Sequence, residues 1–163
     1  MPKYSIGLKS VKFGTPTGSD TMPATMTAWA QTVQGSMTIE ESEAEVKNFK
    51  VEEVSSPVKQ AIVEDGVLTL TWKAYDIDPA IVAVVKNGTA TATKFSAAAN
   101  SEIIEKALEV TTDDDVKFTI PKASIVARLT GAIGGEDMIQ MEVKATAIDP
   151  GNGGSPWQME HPE

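Results

Sequence analysis

Carboxylates are the most abundant side chains in this sequence that could do chemistry. They are densest in the run Glu40-Glu41-Ser42-Glu43-Ala44-Glu45 and in the pair Glu52-Glu53. Two carboxylates on either side of a glycosidic bond can hydrolyse it, so a paired arrangement in a cleft would indicate a glycosidase. The sequence does not place any two of them in an apolar cleft, and they alternate between the faces of a strand. The segment therefore indicates a solvated strand edge.

Three short motifs suggest a chemical role that their surroundings disfavour. Gly131-Ala132-Ile133-Gly134-Gly135 lacks the spacing of a phosphate-binding loop and precedes a strand pattern, so we predict a hairpin turn. Asp113-Asp114-Asp115 lacks the glycine and terminal glutamate of a calcium loop, which favours a charged hairpin tip. Asn87-Gly88-Thr89 has the spacing of a glycosylation acceptor, but its place after a helical pattern predicts a turn.

The residue types that most catalytic and metal sites need are nearly absent. There is no cysteine, and the single histidine, His161, lies in a Pro/Gly-rich C-terminal tail. With 14 basic and 23 acidic residues the formal net charge is −9, which disfavours a protein that grips phosphate backbones. We therefore predict no catalytic, cofactor-binding or metal-ligating residues, no cofactor and no enzymatic activity.

Tryptophans could instead build a platform for stacking sugars or bases. Trp72 is in phase with the apolar residues of a predicted strand, so it is expected in the core. Trp29 and Trp157 remain as scattered aromatics. A concave patch made from Trp29, Tyr75 or Trp157 would indicate the alternative function, a β-sandwich binding module for carbohydrate or a receptor-binding accessory protein.

The elements that would position these residues are mostly strands. Apolar and polar residues alternate through the segments 67–75, 116–120, 125–129 and 139–147, which predicts half-buried strands with one solvated face. Glu64-Asp65-Gly66 predicts a hairpin between residues 61–63 and 67–75. The runs 102–110, 116–133 and 138–148 predict an antiparallel meander with Pro121-Lys122-Ala123 as its middle corner.

One segment, residues 78–87, favours a short helix. Asp78 can cap its start, Pro79 suits the first helical position, and Asn87-Gly88 can end it. The buried stripe is expected to contain Ile77, Ile81, Val84 and Val85. The abundance of Ile and Val leaves a strand open as the alternative.

The domain organisation follows from these elements. We expect one β-rich domain over residues 1–148, made of two packed antiparallel sheets in a sandwich or barrel with one short flanking helix. A strand over Tyr4–Phe13 leads into a flexible loop at 14–24, and an extended C-terminal arm covers 149–163. Trp157 in that arm should contact either its own core or a neighbouring molecule. No continuous apolar run predicts a signal peptide or a membrane anchor.

The order of elements resembles the major tail tube proteins of long-tailed bacteriophages. The stretches that carry the resemblance are 68–76 (LTLTWKAYD), 103–110 (IIEKALEV), 118–128 (FTIPKASIVAR) and 141–150 (MEVKATAIDP). The resemblance implies a structural subunit that self-assembles into hexameric, stacked rings and contacts other tail components. DNA would pass through the lumen without specific binding. It further implies synthesis in the cytoplasm of a bacterial host and a final location in the virion tail. Tubes of contractile injection or type VI secretion systems would share the fold.

Overall fold

The computed structural model describes residues 4–163, which contain twelve strands and one helix. In chain order these are β1 (Ser10–Gly14), β2 (Thr27–Ala28), β3 (Thr38–Glu41), β4 (Glu45–Val51), β5 (Val54–Glu64), β6 (Leu68–Ala74), α1 (Pro79–Val85), β7 (Gly88–Ala90), β8 (Phe95–Ala97), β9 (Ile104–Thr111), β10 (Lys117–Thr130), β11 (Gln140–Ala147) and β12 (Gln158–Glu160). The start of the predicted domain at residue 1 falls on residues 1–3, which lie outside the described residues.

One antiparallel sheet of eight strands makes up most of the molecule. Its order is β2-β1-β9-β10-β11-β6-β3, and β12 pairs with β10 beside this path. The neighbours β9, β10 and β11 are consecutive in the chain, so the predicted meander is confirmed. Two further pairs, β4-β5 and β7-β8, form separate two-stranded sheets.

The main sheet curls until its two halves face each other. β1 and β6 are separated by three strands, which would place them about 19 Å apart in a flat sheet. Yet the ring centroids of Phe13 on β1 and Trp72 on β6 are only 6.1 Å apart. The chain after β2 crosses between the two edges, where the N–H of Val33 donates to the carbonyl of Lys73. The predicted mainly β, sandwich-like fold is confirmed, with both layers drawn from one sheet.

The core lies between these two halves and follows the predicted alternation. On β6 the buried residues are Leu68, Leu70, Trp72 and Ala74, and on β11 they are Met141, Val143, Ala145 and Ala147. The residues between them on each strand are polar and reach solvent. A period of two is what one buried face of a sheet requires, because successive side chains point to opposite faces.

The predicted corner at Pro121-Lys122-Ala123 is wrong, because β10 continues through it as one strand of 14 residues. The register against β9 shifts between Ile120 and Ala123, so β10 carries one extra residue there, an irregularity of the bulge type. Proline cannot donate a ladder hydrogen bond and is tolerated at such a position. Bulges bend a strand and increase its twist, which fits the strong curl of this sheet.

The predicted short helix is confirmed as α1. The side chain of Asp78 accepts a hydrogen bond from the N–H of Ala80, and Pro79 occupies the first turn. The expected stripe is partly wrong: Val82 and Val85 are the buried residues, while Ile77 precedes the helix and is 44% exposed. Within residues 4–163 no helix is long and apolar enough to span a membrane.

Two strand predictions near the N terminus and the middle of the chain are wrong. Residues 61–63 and 67–75 do not form a hairpin, because β5 pairs with β4 whereas β6 pairs with β11 and β3. The turn at 65–67 therefore connects two different sheets. The first strand begins at Ser10 rather than Tyr4, since residues 4–9 are held by contacts to the β9–β10 turn instead of by a strand ladder.

Candidate assembly surfaces

The β4–β5 hairpin is the most unusual surface of the molecule. Both strands are solvent-exposed along their whole length except for the half-buried Ala61, and none of their residues belongs to the core. Its large apolar side chains are between 44% and 63% exposed; they are Val46, Phe49, Val51, Val54, Val58, Ile62 and Val63. An apolar surface of this extent on a folded protein is typical of an interaction site.

The charge of this hairpin differs from that of the rest of the chain. We call residues 46–51 and 54–63 the stem; it contains Lys47, Lys50 and Lys59 and no carboxylate. Strand register places Lys47 opposite Ala61 and Phe49 opposite Lys59, so these residues share one face. The ammonium of Lys47 lies 5.5 Å from the ring centroid of Phe49. The stem therefore offers positive charge together with apolar area, although the chain carries a net charge of −9.

An acidic collar, residues 40–45 and 64–65, surrounds the base of the stem. Its carboxylates are Glu40, Glu41, Glu43, Glu45, Glu64 and Asp65, and all are exposed. The two parts are joined at Ser42, whose N–H donates to the carbonyl of Val67 at 3.0 Å and whose hydroxyl accepts from the N–H of Val67 at 2.8 Å. These carboxylates lie on an open strand edge, as the sequence indicated, rather than in a cleft.

A second apolar surface lies at the opposite end of the main sheet. We call residues 75–78 and 129–139 the loop-end surface; they follow β6 and connect β10 to β11. The pairing of Ala74 with Met141 brings the two parts side by side. Ile133, at the tip of the glycine-rich loop, is 94% exposed. The other exposed apolar side chains are Tyr75, Ile77, Leu129 and Met138. The glycine-rich loop is thus a connection between strands, as predicted.

The β9–β10 turn, which carries Asp113-Asp114-Asp115, holds the N-terminal segment. Asp114 accepts a hydrogen bond from the N–H of Ile6 at 2.9 Å, and Asp115 forms an ion pair with Lys9 at 2.5 Å. The hydrogen bond that the Lys9 ammonium donates to Asp115, together with the charge of Asp115, raises the pKa of Lys9 above its usual value. The carboxylates therefore anchor a chain segment, and no group of three metal-ligating side chains is present among residues 4–163.

The C-terminal arm contacts the loop predicted at 14–24. The side chain of Asn152 donates to the carbonyl of Gly18 at 3.3 Å, and the N–H of Ser155 donates to Asp20 at 3.4 Å. Trp157 packs against the core of its own chain. Beyond it, β12 pairs with residues 117–119 of β10, where β11 no longer covers that edge. His161 follows β12 and is half-buried.

One cavity lies beside β1 and β2, and a smaller one beside β7 and β8 is lined by residues that include Asn87 and Glu102. The larger one, about 540 Å³, is lined mainly by apolar and hydroxyl residues with Lys106 as its charged group, and no carboxylate lines it. Trp29 is only 9% exposed, because it packs edge-on against Phe13 and Trp72 and donates from Nε1 to the carbonyl of Ile81 at 3.1 Å. It lines the larger cavity together with Phe13, but it presents little surface to the aromatic patch on which the binding-module alternative depends.

The sequence predicts only a solvated edge for the carboxylates of 40–45 and 52–53, and the hairpin was not predicted as a distinct surface. Residues 46–63 instead form a two-stranded ribbon that exposes large apolar side chains. The available signal was the pair Glu52-Glu53 between Val51 and Val54, a charged tip between two apolar-rich runs.

Comparison with known proteins agrees with this architecture. No curated protein matches the chain. The family model described as phage tail tube protein matches residues 9–162 of the 163. The match includes the core strands, the hairpin and the C-terminal arm. A family model that matches nearly the whole chain identifies the protein as a structural subunit: it belongs to the phage tail tube protein family.

Proposed function

We propose that the chain assembles into hexameric rings that stack into the tube of a phage tail. The observation that carries self-association is the exposed apolar stem of the β4–β5 hairpin. A two-stranded ribbon is marginally stable in water when it stands alone. Contact with further copies would bury its exposed apolar side chains and thereby stabilise the ribbon.

The edges of the main sheet support ring formation. β2 ends one edge with two residues, and β3 ends the other with four exposed residues. Open strand edges present unpaired backbone groups that neighbouring chains can bind. A closed ring would pair these edges between subunits and leave none free.

The charges of the main sheet support passage of DNA without specific binding. On the solvent face of the sheet four basic residues have carboxylate partners, whereas Lys144 on the same face has none among residues 4–163. These pairs are Lys12–Glu109, Lys73–Glu142, Lys122–Glu105 and Arg128–Glu142. A cation with an adjacent carboxylate attracts phosphate less, and the net charge of −9 repels it. The solvent face of the sheet would therefore not bind passing DNA.

The same proposal covers partners and location. The subunit would contact other tail components, reside in the virion tail after synthesis in the cytoplasm of a bacterial host, need no membrane anchor and catalyse no reaction. Residues 1–148 would act as one domain, and the loop 14–24 and the arm 149–163 would rearrange on assembly. The hydrogen bonds between the loop and residues 152–155 are few and exposed, so these parts can separate at little cost, whereas Trp157 and β12 are held by the core and by β10.

Negative-stain electron microscopy with light scattering tests the proposal. The purified chain is concentrated at low and moderate salt, alone and with an initiating tail complex. Rings or tubes with a central hole are expected. A chain that stays monomeric at high concentration in every condition, including with the initiating complex, contradicts the proposal.

A variant without the stem tests the observation that carries the proposal. Glu45 and Glu64 are direct partners in the strand register, so an Asn-Gly turn can join them and replace residues 46–63. Because the stem contributes nothing to the core, the variant should fold with an unchanged thermal midpoint and should not assemble. The matched control, Glu52→Gln with Glu53→Gln, changes only the tip and should assemble. Assembly of the stemless variant would refute the role of the stem.

A further inference from the structure

The loop-end surface combines exposed apolar side chains with negative charge. Asp76, Asp78, Glu136 and Asp137 lie within it, and residues 75–78 and 129–139 contain no lysine or arginine. The stem has the opposite character, since its exposed apolar side chains are accompanied by lysines alone. The two surfaces are therefore complementary in charge and alike in their apolar exposure.

One copy cannot bring these two surfaces together. β3 runs towards the stem, and β6 runs away from it to the loop-end surface, because Glu41 pairs with Leu68 and Ala74 pairs with Met141. β6 has seven residues, so the two surfaces are about 23 Å apart along the strand direction. A stem can reach a loop-end surface only on another copy.

We propose that the stem of one copy docks on the loop-end surface of the next copy, with Lys47 and Lys59 facing Glu136 and Asp137. This inference rests on the proposed self-assembly and specifies which surfaces meet. The contact joins two different patches, so each copy keeps a free patch of either kind and the contact can repeat along a polar stack. Burial of Ile133 against the stem would supply the apolar part, and the opposite charges would fix the orientation.

The acidic collar is the competing acceptor on a second copy. It has more carboxylates than the loop-end surface, but residues 40–45 and 64–65 contain no large apolar side chain, and only Ile39 and Val67 flank them outside the stem. Charge without apolar area favours rapid encounter more than stable contact. The loop-end surface offers both, which is why it is the better fit for the stem.

Charge reversal in two chains tests the pairing. Lys47→Glu with Lys59→Glu makes the stem acidic, and Glu136→Lys with Asp137→Lys makes the loop-end surface basic. Each chain alone should need about tenfold or more protein to assemble, because like charges then meet. An equimolar mixture should assemble again, since each stem then finds an opposite loop-end surface. Matched controls, Lys94→Glu and Glu163→Lys, make single reversals elsewhere and should assemble like the wild type.

The outcomes separate this inference from the proposed function. Wild-type rings or tubes together with normal assembly of either reversed chain, or with no recovery in the mixture of two folded chains, would overturn the pairing and leave the tube role intact. Wild-type chains that never assemble would overturn both. Circular dichroism and thermal unfolding show whether the reversed chains are folded.

Disulfide trapping gives a second, independent test, because the chain has no cysteine of its own. Ala61→Cys lies on the Lys47 face of the stem, and Gly135→Cys lies in open space in the loop. Mixing the two chains under mild oxidation should give a cross-linked heterodimer. Thr93→Cys in the loop between β7 and β8 should not replace Gly135→Cys. Cross-linking of Ala61→Cys to Glu43→Cys instead would overturn the inference and identify the collar as the acceptor.

Discussion

Trp72 is completely buried between Phe13 and Trp29, and its indole N–H has no hydrogen-bond partner in the described chain. A buried donor without an acceptor costs about 1–3 kcal/mol. The packing around Trp72 offsets this cost, because its ring meets Trp29 edge-on at 81° with centroids 6.2 Å apart. The centre of the core is therefore held by aromatic packing across the curl of the sheet.

Gly131 is a residue whose backbone conformation other residues cannot easily adopt. Its φ is +116°, and an added Cβ would lie 2.8 Å from the carbonyl oxygen of Met138. We predict that Gly131→Ala lowers the free energy of unfolding by about 1–3 kcal/mol, measured by chemical denaturation. Gly135→Ala in the same loop meets no neighbouring atom and should change it by less than about 0.5 kcal/mol. Equal effects of both substitutions would contradict this explanation.

The ion pair of Lys9 predicts a defined pH response. Since the pKa of Lys9 is raised by Asp115, its contribution to holding the N-terminal segment is complete below the ordinary lysine pKa. That contribution is lost as the pH rises through the raised value. In Asp115→Asn the pKa of Lys9 should fall towards its ordinary value, which NMR titration of the Lys9 side chain can follow. An unchanged pKa would show that Asp115 is not the cause.

The burial of individual residues was predictable on strands that have one buried face and one solvated face. Leu68, Leu70 and Trp72 alternate with polar residues, and hydrophobic burial selects the same face along the whole strand. Trp29 was not predictable in this way. It follows a strand of two residues, too short for a period, and its burial depends on contacts with Phe13 and Trp72 from distant parts of the chain.

Among the elements, α1 is a short helix that depends on its cap. It has seven residues, and Asp78 accepts the hydrogen bond from the N–H of Ala80 at 3.0 Å. We predict that Asp78→Ala lowers the free energy of unfolding by about 1 kcal/mol, whereas Asp78→Asn keeps an acceptor and has a smaller effect. Thermal unfolding of both variants checks this. A loss in Asp78→Asn as large as in Asp78→Ala would show that the hydrogen bond is not what matters.

Element prediction succeeded where turns are local and failed where pairing is distant. The β10–β11 connection is a loop between neighbouring strands, so its glycines predicted the pairing correctly. Glu64-Asp65-Gly66 gave an equally clear turn signal, but β6 finds its partners β11 and β3 in other parts of the chain. A turn signal shows where the chain reverses, whereas the strands available in the sheet decide which of them pair.

At the scale of the whole molecule, salt should promote assembly. A subunit with a net charge of −9 repels its neighbours at long range, and the Debye length falls from about 30 Å at 0.01 M to about 8 Å at 0.15 M salt. We predict that the concentration needed for assembly decreases over this range, as measured by light scattering. Direct contacts between Lys47 and carboxylates are shorter and less screened. If the protein concentration needed for assembly instead rose steadily over the same range of salt, attraction between opposite charges would dominate the assembly.

The overall architecture was predictable as a class but not as a topology. Many segments of alternating apolar and polar residues, together with only one segment that has helix-capping residues, indicate a mainly β fold. The single curled sheet depends on the bulge near Pro121 and on the crossing at Val33, neither of which has a local sequence signature. The assembly surfaces were hidden for a related reason: exposed valines in the stem have the same pattern as valines that a core would bury.

The distant pairing of β1 also sets an order of events during synthesis. β1 finds its partner β9 roughly a hundred residues later, and such non-local topologies fold slowly. The hairpin needs only its own adjacent strands. At about 5–20 residues per second, several seconds separate emergence of the hairpin from that of β9 and the loop-end surface. A nascent chain therefore presents its stem several seconds before its own proposed acceptor, the loop-end surface, is complete.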